Sequence, residues 1–227
     1  MHIAVVGASG ATGRLVVTAA LEAGHQVSAI VRNPPIFNAP FGAEVVEAAV
    51  VSDGQLVLPD GVDAVISTLG KRSVRDPEPT CAAGIHNVIS AMRRQGVSRL
   101  VVTSAAPVLT TGIGEPWWYR YGLRPFVRAM GPYVYRDLEA MERQVRMAED
   151  FCHSTILRPG YLRDDISTNY RLRPGSNATT SASRADLADA LGSLVGVTST
   201  YGKSFGLERG DSRREPARES GPIRMSI

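Results

Sequence analysis

The sequence is poor in lysine and cysteine and lacks any long hydrophobic run. Lys71 and Lys203 are the only lysines among 25 basic residues, and Cys81 and Cys152 are the only cysteines. The spacing of the cysteines fits no metal or redox motif, which predicts two buried thiols in a reducing compartment. No apolar run reaches the roughly 18 residues that a membrane span needs, and no signal peptide precedes the first strand-like run. We therefore expect a cytoplasmic protein, and the scattered positions of its four histidines predict no metal site.

Length and composition indicate one enzyme-sized domain. With 227 residues, of which 44% are hydrophobic, the chain can bury a full core without metals or disulfides. The net charge of +3 is small and does not by itself indicate a nucleic-acid partner. We expect a single domain at residues 1–208, with an aromatic, lid-like insertion at residues 107–133, and a flexible tail at residues 209–227.

The most informative segment that is present is glycine-rich and spans residues 7–13. It reads Gly-Ala-Ser-Gly-Ala-Thr-Gly, follows an apolar run at residues 3–6 and precedes an amphipathic helix expected at residues 12–23. A tight glycine turn between a strand and a helix lets backbone N–H groups approach a pyrophosphate at the positive end of the helix dipole. Because both flanking elements are present, the segment predicts a nucleotide-binding turn.

Arg32 follows the second predicted strand, at residues 26–31. Sites that prefer NAD place an aspartate or glutamate about 20 residues after the glycines, where it binds the ribose 2′-hydroxyl. A guanidinium in that place can bind a 2′-phosphate through a fork of N–H donors. The residue therefore favours NADP(H) over NAD(H), and a solvated surface arginine is the alternative.

The rest of the chain alternates strands and helices, which is typical of a doubly wound parallel sheet in a three-layer α/β/α arrangement. Further strands are expected at residues 43–47, 63–67, 99–103 and 154–158, and helices at residues 78–95, at 135–151 and after Ser183 as the N-cap. Ligands bind such sheets beyond the carboxyl ends of the strands. The candidate site is therefore formed by the segments at residues 7–13, 32, 68–71, 103–106 and 159–162.

Motifs at several of these positions occur in a recognisable order. They are the glycine-rich segment, Ile-Ser-Thr-Leu-Gly at 66–70, Val-Val-Thr-Ser-Ala at 101–105, Thr-Ile-Leu-Arg-Pro-Gly at 155–160 and Ser-Arg-Ala-Asp-Leu-Ala at 183–188. Their order resembles the atypical short-chain dehydrogenases/reductases, in particular the NAD(P)H-binding group that holds biliverdin-IXβ/flavin reductase and the NmrA-like proteins. The resemblance covers roughly residues 1–195 and implies a Rossmann fold. We expect no second domain, but a small substrate-side subdomain built from residues 107–133 and 161–180.

The resemblance also implies how the cofactor is held. Thr12 and Gly13 would meet the pyrophosphate, and Arg32 the 2′-phosphate. Thr68 and Leu69 would line the adenosine and ribose side, and Ser104 would lie close to the nicotinamide. The nicotinamide carboxamide and the substrate would be flanked by Pro159, Gly160 and Tyr161. The candidate cofactor-binding residues are Gly7, Ser9, Gly10, Ala11, Thr12, Gly13, Arg32, Thr68, Leu69, Gly70, Lys71, Thr103, Ser104, Pro159 and Gly160.

The sequence departs from this group at two positions. Tyr161 stands where the flavin-reducing relatives carry a histidine, which makes biliverdin or flavin a less favoured substrate than other flat acceptors. Ala48 and Ala49 stand where a Gly-Asp pair is usual after the third strand, which removes one expected adenine contact.

The Tyr-x-x-x-Lys pair of the typical short-chain dehydrogenase site is absent. In that pair the lysine lowers the tyrosine pKa for proton exchange at the substrate carbonyl. Ser67 and Ser199 stand four residues before Lys71 and Lys203. Any hydride transfer by this chain therefore proceeds without that proton machinery.

Ser104 and Tyr161 are the candidate catalytic residues. Each hydroxyl can donate a hydrogen bond to a substrate oxygen, and Tyr161 can supply a proton if its pKa is lowered. The alternatives are a Ser104 hydroxyl bonded to its own backbone and a Tyr161 ring that packs in the structure with its hydroxyl exposed. On the catalytic interpretation, Ser104→Ala should lower turnover more than about tenfold while NADPH binding stays intact.

The segment at residues 107–133 is rich in aromatic residues. It leaves the end of the strand predicted at residues 99–103, directly over the expected position of the nicotinamide. Trp117 and Trp118 are the candidate substrate-binding residues, together with Tyr161. A lid that stacks on a flat substrate is the leading interpretation, a dimer contact is the next, and a membrane or nucleic-acid patch is the least favoured. Asp137, Glu139 and Glu142, on the helix that follows, are expected on a solvated face, and the alternative is that Asp137 or Met141 reaches the pocket.

Taken together, these features predict an NADPH-dependent reductase that transfers a hydride to a flat, conjugated acceptor such as a quinone, flavin, enone or ketone. One alternative is a non-catalytic NADP(H) sensor of the NmrA-like kind. Another is a non-redox isomerase, dehydratase or cyclase on the same fold. We expect a small aromatic or conjugated substrate, no nucleic-acid or membrane partner, and a monomer or homodimer.

Overall fold

The computed structural model describes residues 1–71, 73–109 and 115–210. The strands are β1 (His2–Val6), β2 (Gln26–Val31), β3 (Ala43–Glu47), β4 (Ala64–Ser67), β5 (Arg99–Thr103), β6 (His153–Pro159), β7 (Leu162–Arg163), β8 (Tyr170–Pro174), β9 (Ala182–Ser183) and β10 (Lys203–Arg209). The helices are α1 (Ala11–Glu22), α2 (Thr80–Gln95), α3 (Arg124–Met130), α4 (Pro132–Met147) and α5 (Arg184–Leu194), and a π-helical turn at Tyr119–Leu123 precedes α3.

An eight-stranded sheet runs through the centre in the order β3-β2-β1-β4-β5-β6-β10-β8. Every neighbouring pair is parallel except β10 with β8. The first six strands follow the 3-2-1-4-5-6 order of the doubly wound Rossmann sheet, whose connections change direction between β1 and β4. Val6 lies opposite Ile30 on β2 and Ser67 on β4, so the segments that follow these strands meet at one edge of the sheet.

Two hydrophobic layers cover the sheet, because its central strands are apolar on both faces. On one face, side chains of α1 and α5 such as Val16 and Leu191 pack on Val5 and Ile66. On the other face, α2 and α4 cover the sheet, with Met141 fully buried among the side chains of that layer. The predicted α/β architecture with three layers is confirmed.

Single capping residues determine where several of the helices begin and end. Gly96 ends α2 with a φ of +72°, and its N–H donates to the carbonyl of Met92, as in a left-handed helix cap. The Ser183 hydroxyl accepts a hydrogen bond from the Asp186 N–H at 2.8 Å, which confirms the predicted N-cap of α5. Helix α4 begins at Pro132 rather than at residue 135, because proline is favoured in the first helical turn.

The region after β6 extends the main sheet and also forms a small sheet of its own. Strand β8 pairs antiparallel with β10 at the edge of the main sheet, while only β7 and β9 form a small second sheet. Both β8 and β10 carry arginines, so their hydrophobic alternation was too weak to predict. Arg209, expected in the tail, is the last residue of β10, and residues 211–227 of the predicted tail lie outside the described part of the chain.

Cys81 and Cys152 are both buried and free, as predicted. Burial raises the pKa of the Cys152 thiol to about 12. None of the helices within residues 1–71, 73–109 and 115–210 has the length and apolar character of a membrane span.

Candidate functional site

The glycine-rich segment forms a tight turn between β1 and α1. Gly7 has a φ of +80°, a left-handed conformation that favours glycine, and the Gly10 N–H donates to the Gly7 carbonyl at 3.0 Å. At Gly13, an added Cβ would lie only 2.2 Å from the Gly7 oxygen and 2.8 Å from the Ala8 Cα. Side chains at these positions would therefore break the turn, which explains the first and third glycines of the motif.

The N-terminus of α1 is open toward solvent. Gly10 is the N-cap, no side chain caps the helix, and no acidic residue lies in the first turn. The first helical hydrogen bond runs from the Arg14 N–H to the Gly10 carbonyl at 3.0 Å, so the N–H groups of Ala11, Thr12 and Gly13 precede it. Uncapped donors at the positive end of a helix dipole favour a phosphate group. These residues therefore fit the pyrophosphate of a dinucleotide.

Thr68, directly after β4, holds the turn in place. Its hydroxyl lies 3.0 Å from the Val6 carbonyl and 3.2 Å from the Gly7 carbonyl, and it donates its hydrogen toward both oxygens. The next residue, Leu69, packs against Gly84 of α2, where an added Cβ would lie 2.4 Å from the Leu69 Cδ1. Thr68 thus acts on the shape of the turn, and Leu69 fixes the loop that follows β4. Gly70 is exposed in the same loop.

Lys71 takes part in a buried ion pair. Its ammonium lies 3.6 Å from a carboxylate oxygen of Asp137, both side chains are only 2% exposed, and it also donates to the carbonyls of Asp76 and Glu78. The Asp137 carboxylate in turn accepts the first N–H groups of α2, from Cys81 at 2.9 Å and from the next residue at 2.8 Å. The Lys71 ammonium is therefore engaged by protein groups, and the expected solvated position of Asp137 is wrong.

Arg32 lies at the carboxyl end of β2 and is exposed, as a residue that binds a phosphate at the surface requires. A second exposed arginine, Arg14, lies in the first turn of α1. Its Nε donates to the Ser9 carbonyl at 3.2 Å, and its guanidinium lies 5.4 Å from the centre of the Phe37 ring. Sequence reasoning missed Arg14, although its place directly after Gly13 was a usable signal.

Ser104, directly after β5, belongs to a buried charged network. Its hydroxyl donates to the Glu142 Oε1 at 2.7 Å, and Glu142 on α4 is fully buried. Arg158 on β6 donates to both carboxylate oxygens of Glu142, at 2.8 and 2.6 Å, and to the Ser204 hydroxyl at 2.9 Å. Arg146 donates to Glu142 from the solvent side at 3.1 Å. The expected solvated position of Glu142 is therefore wrong, and so is a Ser104 hydroxyl bonded to its own backbone.

The hydrogen bonds and charges around Glu142 keep its carboxyl group ionised. Burial by itself raises the pKa of the carboxyl group, but the hydrogen bonds and charge of Arg158, the Ser104 hydroxyl and Arg146 lower it by more. The net pKa of Glu142 lies below its ordinary value. Glu142 is therefore a carboxylate that only accepts hydrogen bonds.

Two hydroxyls at the carboxyl ends of adjacent strands have no hydrogen-bond partner among the described residues. These are Ser67 at the end of β4 and Thr103 at the end of β5, and both oxygen atoms are buried. A buried hydroxyl without a partner costs about 1–3 kcal/mol. Thr103 was predicted as a site residue and Ser67 was not.

After β6 the chain passes close to another segment and then becomes exposed. At Gly160 an added Cβ would lie 1.9 Å from the Thr180 carbonyl oxygen, so this position requires glycine. Tyr161 follows, and its carbonyl accepts the Ala182 N–H at 3.1 Å while its side chain is 81% exposed. The ring of Tyr161 is thus not packed in the protein, which contradicts the alternative of a packed aromatic residue. Pro159 ends β6 and is buried.

The described part of the aromatic segment presents an apolar face to solvent. Trp117, Tyr121, Phe126 and Met130 are 76%, 73%, 63% and 65% exposed. The spacing is four residues except between Tyr121 and Phe126, where the π-helical turn at Tyr119–Leu123 accommodates one more residue and keeps the face continuous.

Two arginines of this segment form ion pairs with acidic residues. Arg124 forms an ion pair with Glu115 at 3.0 Å, and Arg128 forms one with Glu139. Trp118 is half-exposed, and residues 110–114 of the predicted insertion lie outside the described residues.

Comparison with known proteins identifies the family of this chain. The family described as NAD(P)H-binding matches residues 7–196. The chain belongs to this NAD(P)H-binding family. The match includes the turn at residues 7–13 and the strand-end segments, and the predicted resemblance is confirmed at this level.

Solved structures show the same architecture over nearly the whole chain. A Rossmann-fold NAD(P)-binding family protein from Shigella flexneri has a TM-score of 0.63 and 20% identity, with 99% of this chain and 98% of that chain covered. A protein from Bacillus halodurans described as an NAD-dependent epimerase/dehydratase has a TM-score of 0.73 and 24% identity, with 93% and 95% covered. A protein from Streptococcus pneumoniae described as an NADH-flavin reductase has a TM-score of 0.71 and 20% identity, with 92% and 100% covered. Because all three identities lie below 25%, the structural similarity to these proteins shows that the chain has the Rossmann fold and nothing more specific.

Proposed function

We propose that this chain is an NADPH-dependent reductase of a flat, conjugated acceptor, such as a quinone, flavin, enone or ketone. The observation that carries the proposal is the uncapped N-terminus of α1, where three backbone N–H groups precede the first hydrogen bond of the helix. They adjoin a glycine turn that has no room for a side chain at Gly13. Such a turn supports binding of a dinucleotide pyrophosphate. The nicotinamide, when bound, supplies the hydride, and the protein residues orient the reactants and exclude competing reactions.

The preference for NADP(H) rests on the charges around the second strand. Arg32 follows β2, and Arg14 of α1 lies against Phe37 in the loop that follows Arg32. Two exposed guanidinium groups support binding of a 2′-phosphate, and no carboxylate directly follows β2 to accept a ribose hydroxyl.

The substrate class rests on the exposed aromatic residues that follow β5 and β6. Trp117, Trp118 and Tyr161 expose their rings to solvent, which supports stacking against a planar molecule. The chain has no Tyr-x-x-x-Lys pair. Acceptors whose reduced form takes its proton from water, or from the Tyr161 hydroxyl, therefore suit the site best.

The first experiment is a calorimetric titration of the purified chain with NADPH and NADH. The oxidation of NADPH is then followed by absorbance against a panel of quinones, flavins, enones and aromatic ketones. We expect tighter binding of NADPH than of NADH and turnover of at least one acceptor. Absence of binding of either nucleotide would refute the proposal.

A second candidate is a nucleotide sensor without catalytic activity. The hydrogen-bond network favours it in one respect, because the Ser104 hydrogen is donated to Glu142 and is not directed at a substrate. Tight NADPH binding without turnover of any acceptor would support the sensor. Conversion of a substrate without consumption of NADPH would instead indicate a non-redox enzyme, in line with the neighbour that is described as an epimerase/dehydratase.

A further inference from the structure

The buried network around Glu142 fixes the direction of the Ser104 hydroxyl. Glu142 Oε1 accepts from the Ser104 hydroxyl at 2.7 Å and from Arg158 Nε at 2.8 Å, while Oε2 accepts from Arg158 and Arg146. Every contact of this carboxylate is a donor, and a carboxylate has no hydrogen of its own to give. The single hydrogen of the Ser104 hydroxyl must therefore point to Glu142.

The remaining capacity of the Ser104 oxygen is that of an acceptor. A serine hydroxyl has one hydrogen and two lone pairs. The hydrogen is donated to Glu142, and the backbone N–H of Ser104 is donated separately to the Leu157 carbonyl at 2.7 Å. Ser104 itself is buried directly after β5, so toward a group that reaches it from the carboxyl end of the strand its oxygen can accept a hydrogen bond but cannot donate one.

We infer that Glu142 is a positioning residue which keeps the Ser104 oxygen a hydrogen-bond acceptor, and that this oxygen receives an N–H of the nicotinamide carboxamide. The inference rests on the proposed function, since it requires a nicotinamide cofactor at the end of β5. On the nicotinamide ring of such a cofactor, the carboxamide NH₂ is the group that donates hydrogen bonds. A substrate carbonyl, which only accepts, gains nothing from Ser104.

This assignment changes the roles predicted for the two candidate catalytic residues. Ser104 binds the cofactor and sets the orientation of its carboxamide, so the expectation that Ser104→Ala leaves NADPH binding intact no longer holds. Of the two, Tyr161 alone remains as a donor to the substrate oxygen. Its side chain is exposed and therefore accessible to a bound substrate.

The test compares the binding of NADP⁺ with that of its 3-acetylpyridine analogue, in which a methyl group replaces the carboxamide NH₂. By calorimetry, we expect the unaltered chain to bind NADP⁺ about fivefold more tightly than the analogue, since one hydrogen bond is lost. Ser104→Ala should bind the two nucleotides equally. Ser204→Ala is the matched control, because it removes one hydroxyl from the other end of the same network, and it should keep the preference.

The role of Glu142 is tested by Glu142→Asp. This variant keeps the negative charge beside Arg158 but withdraws the carboxylate by one methylene from Ser104, so the preference for NADP⁺ should fall toward equal binding. Thermal melting checks that the variant is folded. If Glu142→Asp unfolds, the double variant Glu142→Leu/Arg158→Met, which removes both buried charges and the acceptor of the Ser104 hydrogen, takes its place.

Each outcome separates the inference from the proposed function. If the unaltered chain binds neither nucleotide, the proposed function fails and the inference fails with it. If it binds both equally tightly, or if Ser104→Ala keeps the preference, the reductase proposal stands and the acceptor role of Ser104 is overturned. If folded Glu142 variants keep the full preference, Ser104 is an acceptor without help from Glu142.

Discussion

Single residues at the glycine turn determine whether a pyrophosphate can approach α1. The closest approach is at Gly13, where a Cβ would overlap the Gly7 oxygen at 2.2 Å. The neighbour is backbone of the same turn, so it cannot move aside without opening the turn. The cost of a side chain therefore affects both stability and nucleotide affinity.

We expect Gly13→Ala to abolish measurable NADPH binding and to lower the melting temperature. Gly192→Ala is the matched control, because Gly192 lies within α5 and a Cβ there meets nothing within 4 Å. Replacing a glycine with alanine inside a helix should stabilise the control by about 0.5–1 kcal/mol. Calorimetry and thermal melting measure both effects, and normal NADPH affinity in Gly13→Ala would contradict the pyrophosphate assignment.

A second prediction at this scale concerns the two exposed arginines. Arg32→Gln and Arg14→Gln each remove a charged donor from the proposed 2′-phosphate site. Since hydrogen bonds to charged groups contribute about 1.5–3 kcal/mol, NADPH affinity should fall about ten- to a hundredfold in each variant. NADH has no 2′-phosphate, so its affinity should stay unchanged. Equal losses for both nucleotides would instead assign the arginines to another part of the cofactor.

At the scale of the element, helix α4 supplies two carboxylates that bind several segments of the candidate site. Asp137 holds Lys71 and the start of α2, and Glu142 holds Ser104 and Arg158. The two carboxylates lie on the same side of the helix as the buried Met141. One helix thus contacts the segments that follow β4 and β5, as well as β6.

We expect Asp137→Ala to lower the free energy of unfolding by about 3–5 kcal/mol, since it leaves the buried Lys71 ammonium without its counter-charge and removes the cap of α2. Glu139→Ala on the same helix is the control. Glu139 pairs with Arg128 at a partly exposed position, so its loss should cost about 0–1 kcal/mol. Urea unfolding of the two variants measures the difference, and similar losses would show that the Lys71–Asp137 pair contributes little.

The sequence predicted the elements with strong local signals. The glycine turn, the strands β1 to β6, the Gly96 cap and the Ser183 cap each depend on residues close together in the chain. The roles of Asp137 and Glu142 could not be predicted this way. Their partners are distant in sequence, at Lys71, Ser104 and Arg158, and only tertiary packing brings these charges together.

At the scale of the whole molecule, the exposed aromatic face beyond β5 distinguishes this chain from a minimal nucleotide-binding domain. A contiguous exposed apolar face often marks a site for a ligand or for another protein surface. The reductase proposal assigns its Trp117 side to the substrate. A contact between two copies of the chain is the competing assignment.

We expect the double variant Trp117→Ala/Trp118→Ala to raise the KM for an aromatic acceptor about tenfold or more, because each ring contributes stacking and apolar burial. NADPH affinity and the melting temperature should not change, since Trp117 is 76% exposed and Trp118 is half-exposed. Steady-state kinetics and analytical ultracentrifugation give the two measurements. A change from dimer to monomer with an unaltered KM would assign the face to self-association.

The two carboxylates of α4 also connect regions that a bound cofactor would touch separately. Asp137 reaches the loop after β4, and Glu142 reaches the residue that follows β5. Because both segments are bonded to α4, we expect a nucleotide that binds at one of them to restrict the motion of the other as well. Amide hydrogens in the middle of α4, which contact no ligand, should therefore exchange with deuterated solvent more slowly once the nucleotide is bound.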